Sequence, residues 1–273
     1  MIVKYTILAA TRRSKFRTNR VKMPPNAMDS NFNADPENNI SNLKDINQSK
    51  KESAEKDGSY YLKIFQSSLN LLAHLLIGIT VGATILFAFR NGSISITGLH
   101  AVMCVIGYQL LMAEAILCLA PNSGWADNFR LVDKKRVHWI LQVVGSVLGI
   151  VGSIIKSLDK SVNWNTLHGQ LGLVAIVFTA VSLVNGLTSL YAYEFRRYLP
   201  GNLSKITHIL FGTIAFAASG ISLCYGFDKH RFIEWATPNV TYALIGFTAC
   251  FTFIIIVNPT ITFFNKTLRV FNK

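Results

Sequence analysis

LHGQLGLVAIVFTAVSLVNGLTSLY, residues 167–191, is one histidine followed by an apolar run long enough to cross a membrane. A helix rises about 1.5 Å per residue, so roughly 20 residues after His168 match a hydrocarbon core about 30 Å thick. The same arrangement recurs at His100, His138 and His208. Each interval between successive histidines is one span plus a short connection, so each histidine stands near the first turn of a spanning helix. Alternate helices of an antiparallel bundle begin on the same side. His100 and His168 therefore fall at one membrane face, and His138 and His208 at the other.

Composition agrees with a membrane protein. Of 273 residues, 51% are hydrophobic and only 15% charged, with mean hydropathy +0.35. Net charge is +13, but 12 of the 27 Lys/Arg precede Phe65 and nearly all the others lie in loops and the C-tail. A bias of positive residues toward one side of a bilayer explains this better than a phosphate-binding groove, so no nucleic-acid partner is expected. Cys104, Cys118, Cys224 and Cys250 lie in or beside apolar runs without CxxC spacing, and read as small core residues.

Six spans are predicted, at about Phe65–Phe89, Leu99–Leu119, His138–Ile155, His168–Tyr191, Ile206–Phe227 and Tyr242–Phe264. The fold class is all-α, a six-helix transmembrane bundle with a disordered N-terminal tail. The tail is residues 1–62, rich in Asn, Ser, Asp and Lys. The membrane domain covers residues 63–266, and residues 267–273 form a C-tail. Residues 1–23 hold seven Lys/Arg and no acid. That is read as a basic tail or an upstream start, since Met23 or Met28 can begin the chain, rather than as a transit peptide.

Orientation follows from loop charge. One side carries Arg130, Lys134, Lys135, Arg136, Arg196, Arg197, Lys205, Lys266, Arg269 and Lys273. The other carries Arg90, Lys156, Lys160, Lys229 and Arg231. Ten against five places both termini, and the His138/His208 end, in the cytosol. Gly78 with Gly82, and Gly145 with Gly149 and Gly152, are spaced for close helix approach.

Two imidazoles on one haem iron make a low-spin centre that moves electrons and leaves no site for oxygen. Two facing pairs, one per leaflet, thus predict two bis-histidine haems with axial ligands His100/His168 and His138/His208. A helix N-terminus favours the neutral imidazole that iron requires. His74, without a facing partner, and His230, in the charged stretch 228–231, are read as interfacial side chains. Glu114, costly inside a membrane, is read as a partner for a lysine, a proton carrier or an interfacial group.

The same segments carry a family resemblance. Leu99-His100-Ala101-Val102-Met103 with Glu114-Ala115, Val137-His138-Trp139-Ile140-Leu141-Gln142, Leu167-His168-Gly169-Gln170-Leu171-Gly172 and His208-Ile209-Leu210-Phe211-Gly212 resemble the cytochrome b561 family over about residues 65–265. The resemblance implies an ascorbate-dependent transmembrane oxidoreductase with two haems b, spans two and four sharing one and spans three and five the other. Leu117-Cys118-Leu119-Ala120-Pro121 stands where ascorbate-reducing members carry a basic, Tyr-containing motif. That Pro is closer to the shorter cytochrome b561 domain-containing subfamily. Ile155-Lys156 replaces an aromatic-His pair on the opposite side.

Lys134, Lys135 and Arg136 precede His138 and are expected to meet an anionic donor, with Lys134 and Lys135 also serving haem propionates. Lys205 joins them, with Arg196 and Arg197 nearby. Lys156 and Asn163, with Lys160, are expected at the opposite, acceptor site, where Trp164, Asn165 and Thr166 line the haem edge. The function expected is electron transfer from cytosolic ascorbate to lumenal or exterior monodehydroascorbate or ferric iron. The setting is an endoplasmic reticulum or vesicle membrane rather than the plasma membrane, and a homodimer is left open. The rival reading is a haem-free proton-coupled transporter using intramembrane histidines and Glu114.

Overall fold

The computed structural model describes residues 36–191 and 201–272, and among them there is helix and no strand. The chain divides into two units, residues 1–55 and 56–273. In the first, the described residues are helical, with Gln48 Nε2 donating to Glu52 Oε1 at 3.4 Å one turn away. The second unit is a bundle.

Helix α1 is Pro36–Ala88, and α2 is Ile96–Cys104. A π-helical segment, Val105–Met112, and α3, Ala113–Leu117, complete the second span. Then follow α4 (Leu131–Leu158), α5 (Leu167–Leu190), α6 (Gly201–Phe227), α7 (His230–Ala236) and α8 (Pro238–Phe271). Among the described residues, six helical stretches are long and apolar enough to cross a membrane.

These boundaries differ from the sequence expectations in three places. Helix extends from Pro36 through residues expected to belong to the unstructured tail, and α8 runs to Phe271 through most of the expected C-tail. α4 starts well before His138, at Leu131, because hydropathy marks only the lipid-crossing part of a helix. In its polar first turn Arg130 Nε donates to Asp133 Oδ2 at 2.8 Å, a pairing suited to an interface. The short α7 was not anticipated.

Small residues decide how the helices meet. A Cβ on Gly107 would lie 2.6 Å from the Gly145 carbonyl oxygen, and one on Gly145 would lie 2.7 Å from that of Gly107. The second span and α4 thus touch backbone to backbone. Gly78 and Gly82, expected to mark a similar seam, have open space at their Cβ positions. Between the two ends of the bundle the core is Ala73, Ile77, Val105, Tyr108, Phe216 and Phe251, all buried. Large residues such as Leu75, Leu86, Val147 and Phe253 stay exposed on the outer surface, as the lipid-facing side of a span requires.

Candidate functional site

α2, α4, α5 and α6 each carry one of the four histidines. The structure brings His100 to His168, with ring centres 6.0 Å apart and planes at 87°. It brings His138 to His208, at 6.1 Å and 86°. The two pairs lie toward opposite ends of the bundle. His168 is in the first turn of its helix, but His100 is a turn in and His138 and His208 are two turns in. A helix terminus therefore does not explain the state of these last two rings.

Backbone carbonyls explain all four. His100 Nδ1 meets the Gly152 carbonyl at 3.0 Å, His138 that of Ala115 at 2.7 Å, His168 that of Ser222 at 2.8 Å and His208 that of Ser182 at 2.9 Å. A carbonyl only accepts, so each Nδ1 carries the proton and each Nε2 keeps its lone pair for a metal. Cys104 Sγ, at 3.5 Å, is a further neighbour of His100 Nδ1.

The α5/α6 half has a symmetry not noticed in the sequence. His168, Gly172, Ser182 and Gly186 recur at one constant offset as His208, Gly212, Ser222 and Gly226. Each histidine reaches the serine of the other helix. A Cβ on Gly186 would lie 3.1 Å from His208 Cε1, and one on Gly226 would lie 3.3 Å from His168 Cε1. The spacing was available as an internal repeat, which Ala175/Ala215 and Leu183/Leu223 also share, hidden because most positions between them differ.

Each pair borders a cavity. The first, about 510 Å³, is lined by His100, His168, Tyr108, Trp164, Lys156 and Asn163 among others. The second, about 610 Å³, is lined by His138, His208, Pro121, Gln142, Lys135 and Lys266 among others. Both lie in the size range of small-molecule and cofactor pockets. Lys156 is held by Thr97 Oγ1 at 2.9 Å and by Asp159, and Asn163 Nδ2 donates to the Ser157 carbonyl at 3.0 Å. Trp164 adopts a left-handed φ of 60°, and the Thr166 hydroxyl caps α5 through the Gly169 amide at 3.3 Å. Lys229 and His230 also border this cavity. His230 is exposed, as expected of an interfacial side chain, and its Nδ1 lies 3.3 Å from Glu234 Oε2 one turn on.

At the other end the expected basic cluster is only partly assembled. Lys135 borders the cavity; Lys134, Arg136 and Lys205 do not. Arg136 faces Asp133 at 3.4 Å, and the Lys134 carbonyl faces Cys118 Sγ at 3.6 Å. Successive residues of a helix point about 100° apart, so a run of three basic residues cannot all face one cavity. Lys266, one turn after Thr262 on α8, supplies the second cation. Arg196 and Arg197 lie outside the described residues.

His74 has the partner the sequence did not reveal. Its Nδ1 lies 2.7 Å from Glu114 Oε1, joining α1 to α3. Trp125 Nε1 donates to Glu114 Oε2 at 3.3 Å. His74 and Glu114 sit on different spans, and nothing local in either segment announces the contact.

Among the described residues no three His, Cys, Asp or Glu side chains converge as a metal site. Each histidine pair offers only two donors. A metal–imidazole bond is about 2 Å, which puts the centres of two rings on opposite sides of one ion about 6 Å apart. The observed 6.0 and 6.1 Å meet that requirement. The four remaining donors of a six-coordinate ion must then come from a planar prosthetic group, and the residues present fit a haem.

Comparison with known proteins points the same way. The family model for eukaryotic cytochrome b561 matches residues 99–234, the segment that holds all four histidines. The chain is similar to transmembrane reductase CYB561D2 of Mus musculus, 27% identical over 188 residues, 67% of this chain and 81% of that protein. It is similar to transmembrane reductase CYB561D2 of Homo sapiens, 28% identical over 196 residues, 70% of this chain and 84% of the relative. The probable ascorbate-specific transmembrane electron transporter 1 of Oryza sativa subsp. japonica is 28% identical over 169 residues, 59% and 69% of the two chains. Six spanning helices, histidines at both ends of the bundle and these matches make the chain a multi-pass, b-type haem oxidoreductase of transmembrane electron transport, a member of the cytochrome b561 family.

Proposed function

We propose that the chain holds two haems b, one between His138 and His208 and one between His100 and His168. It carries single electrons from cytosolic ascorbate to monodehydroascorbate or ferric iron on the lumenal or exterior side. The observation that carries this reading is the pair of ring separations, 6.0 and 6.1 Å, at opposite ends of one span-long bundle. The names of relatives, among them a probable transmembrane ascorbate ferrireductase 4 of Arabidopsis thaliana, support ascorbate as donor and iron as one acceptor.

Haem iron between two imidazoles supplies a low-spin centre that exchanges one electron. The protein holds that centre by its backbone: four carbonyls fix four imidazole tautomers and orient four Nε2 lone pairs. Lys135 and Lys266 border the cytosolic cavity and draw an anionic donor, while apolar residues such as Leu119 and Ile209 keep the lining dry. Lys156, Lys160 and Asn163 border the opposite cavity, where the anion monodehydroascorbate, or ferric iron held by an anionic chelator, docks. The excess of cations at the His138/His208 end supports cytosolic termini. An endomembrane setting and the haem count rest on the same reading.

The test is a visible spectrum with haem quantitation of the detergent-purified chain. Two six-coordinate low-spin haems per chain are expected. His138→Ala or His208→Ala is expected to leave one haem and abolish reduction from the cytosolic side. His100→Ala or His168→Ala is expected to leave the other and block delivery to the far face. A haem content near zero, or ready carbon monoxide binding by the reduced chain, sinks the proposal.

A further inference from the structure

His74 and Glu114 are an intramembrane acid–base pair that neither histidine site uses. Glu114 accepts from the Trp125 indole through one oxygen and contacts His74 through the other. With Nδ1 of His74 as the donor in the 2.7 Å contact, Glu114 accepts at both carboxyl oxygens. His74 Nε2 is then a bare lone pair, and it is buried with no hydrogen-bond partner. Such an imidazole, oriented by a carboxylate that would stabilise its cation, is built to receive a proton.

The surroundings fix this arrangement. One turn before His74, Asn70 Nδ2 donates to the carbonyls of Pro121 and Asn122 at 3.1 and 2.9 Å. Asn122 Nδ2 donates in turn to Gln66 Oε1 at 2.8 Å. These bonds tie α1 to the loop that carries Trp125. The Ser123 backbone lies against the His74 ring, Cys118 lies near Glu114, and Lys134 faces Cys118. Asp127 is occupied by the Ser123 and Gly124 amides. The side chains of His74 and Glu114 are 25% and 20% exposed.

The geometry points to His74–Glu114 as a redox-linked proton site of the His138/His208 centre. The pair does not border that cavity, but Glu114 adjoins Ala115, whose carbonyl accepts the His138 Nδ1 proton. An electron in the cavity and a charge on the pair therefore feel each other through one helix turn. Ascorbate monoanion that gives up one electron also releases one proton to become its radical anion. The electron enters the His138/His208 site, and one proton from the water phase binds His74 Nε2, forming an imidazolium against Glu114. That proton leaves when the electron moves on. An interaction of this kind, screened at an effective dielectric near 20, shifts such an equilibrium on the order of tenfold.

The inference rests on the proposed haem at His138/His208, and its test separates the two. The probe is a spectroscopic redox titration of the purified full chain from acid to alkaline pH. The wild-type potential of that haem is expected to fall as pH rises, by on the order of 59 mV in total, the equivalent of tenfold for one electron. Glu114→Gln and His74→Gln are each expected to keep both haems and flatten the curve. Haems present with a flat wild-type curve, or an unchanged slope in both variants, would overturn the inference alone. Loss of the haem in both variants would make the pair a structural strut and also overturn it. A wild-type chain without haem would instead remove the reading beneath it.

Discussion

Gly186 and Gly226 stand beside the rings of His208 and His168 with no room for a side chain larger than a methyl group. A Cβ at 3.1 or 3.3 Å from an imidazole is already tight, and a branched side chain must push the ring off its Ser182 or Ser222 carbonyl. Gly186→Val is therefore expected to halve haem content by emptying the His138/His208 site, and Gly226→Val to halve it at the other. Haem quantitation and redox titration of each variant check this; full occupancy in both would show that the rings have slack. Trp164 is a second residue set by the cavity rather than by local preference. Its left-handed φ of 60° is rare for a bulky side chain, and such strain persists where surrounding structure holds it.

At the scale of elements, the π-helical segment Val105–Met112 accounts for an offset between the two halves of the α2/α4 pair. His100 reaches the Gly152 carbonyl of α4, and His138 of α4 reaches the Ala115 carbonyl of α3. The stretch from His100 to Ala115 is longer by a single position than the stretch from His138 to Gly152 that runs beside it. A π turn accommodates one extra residue relative to an α-helix, and the extra residue lies between His100 and Ala115. Deleting Ile106 is expected to let the segment relax to α-helix and turn its two ends relative to each other by about 100°. His100 and Ala115 then cannot both meet their partners, and haem content should drop from two to one. Retention of two haems would show that the π segment is not what aligns them.

The whole molecule sets the field an anionic donor meets. Lys135 comes from α4 and Lys266 from α8, and only the folded bundle puts both beside the His138/His208 cavity. Charge at a cavity mouth raises association rates, and salt screens it over about 10 Å at 0.1 M. Lys135→Glu with Lys266→Glu is expected to slow reduction by ascorbate at low salt severalfold, with the difference shrinking as salt rises. Stopped-flow mixing measures it. Lys134→Glu with Lys205→Glu, whose side chains do not border the cavity, is expected to change the rate far less. Equal slowing by the two double variants would mean that general surface charge, not the cavity mouth, guides the donor.

The six spans and the alternation of the four histidines were legible in the sequence because both are one-dimensional. Span length is fixed by bilayer thickness, and antiparallel order makes every second helix begin on the same side. Four facts were not legible. Three of the histidines lie deeper than the first turn, since their helices begin upstream of the apolar runs from which the spans were read. The carbonyls of Gly152, Ala115, Ser222 and Ser182 give no residue-type signal, because any residue supplies one. Lys266 replaces Lys134 and Arg136 at the cavity because helical phase, not adjacency in the chain, decides which cation faces inward. His74 and Glu114 meet only because Asn70 clamps α1 to the loop after the second span. Sequence determined how many times this chain crosses a membrane and which residues can ligate a metal. Packing alone decided which tautomer each ring holds and which charge each one feels, since both depend on contacts between segments far apart in the chain.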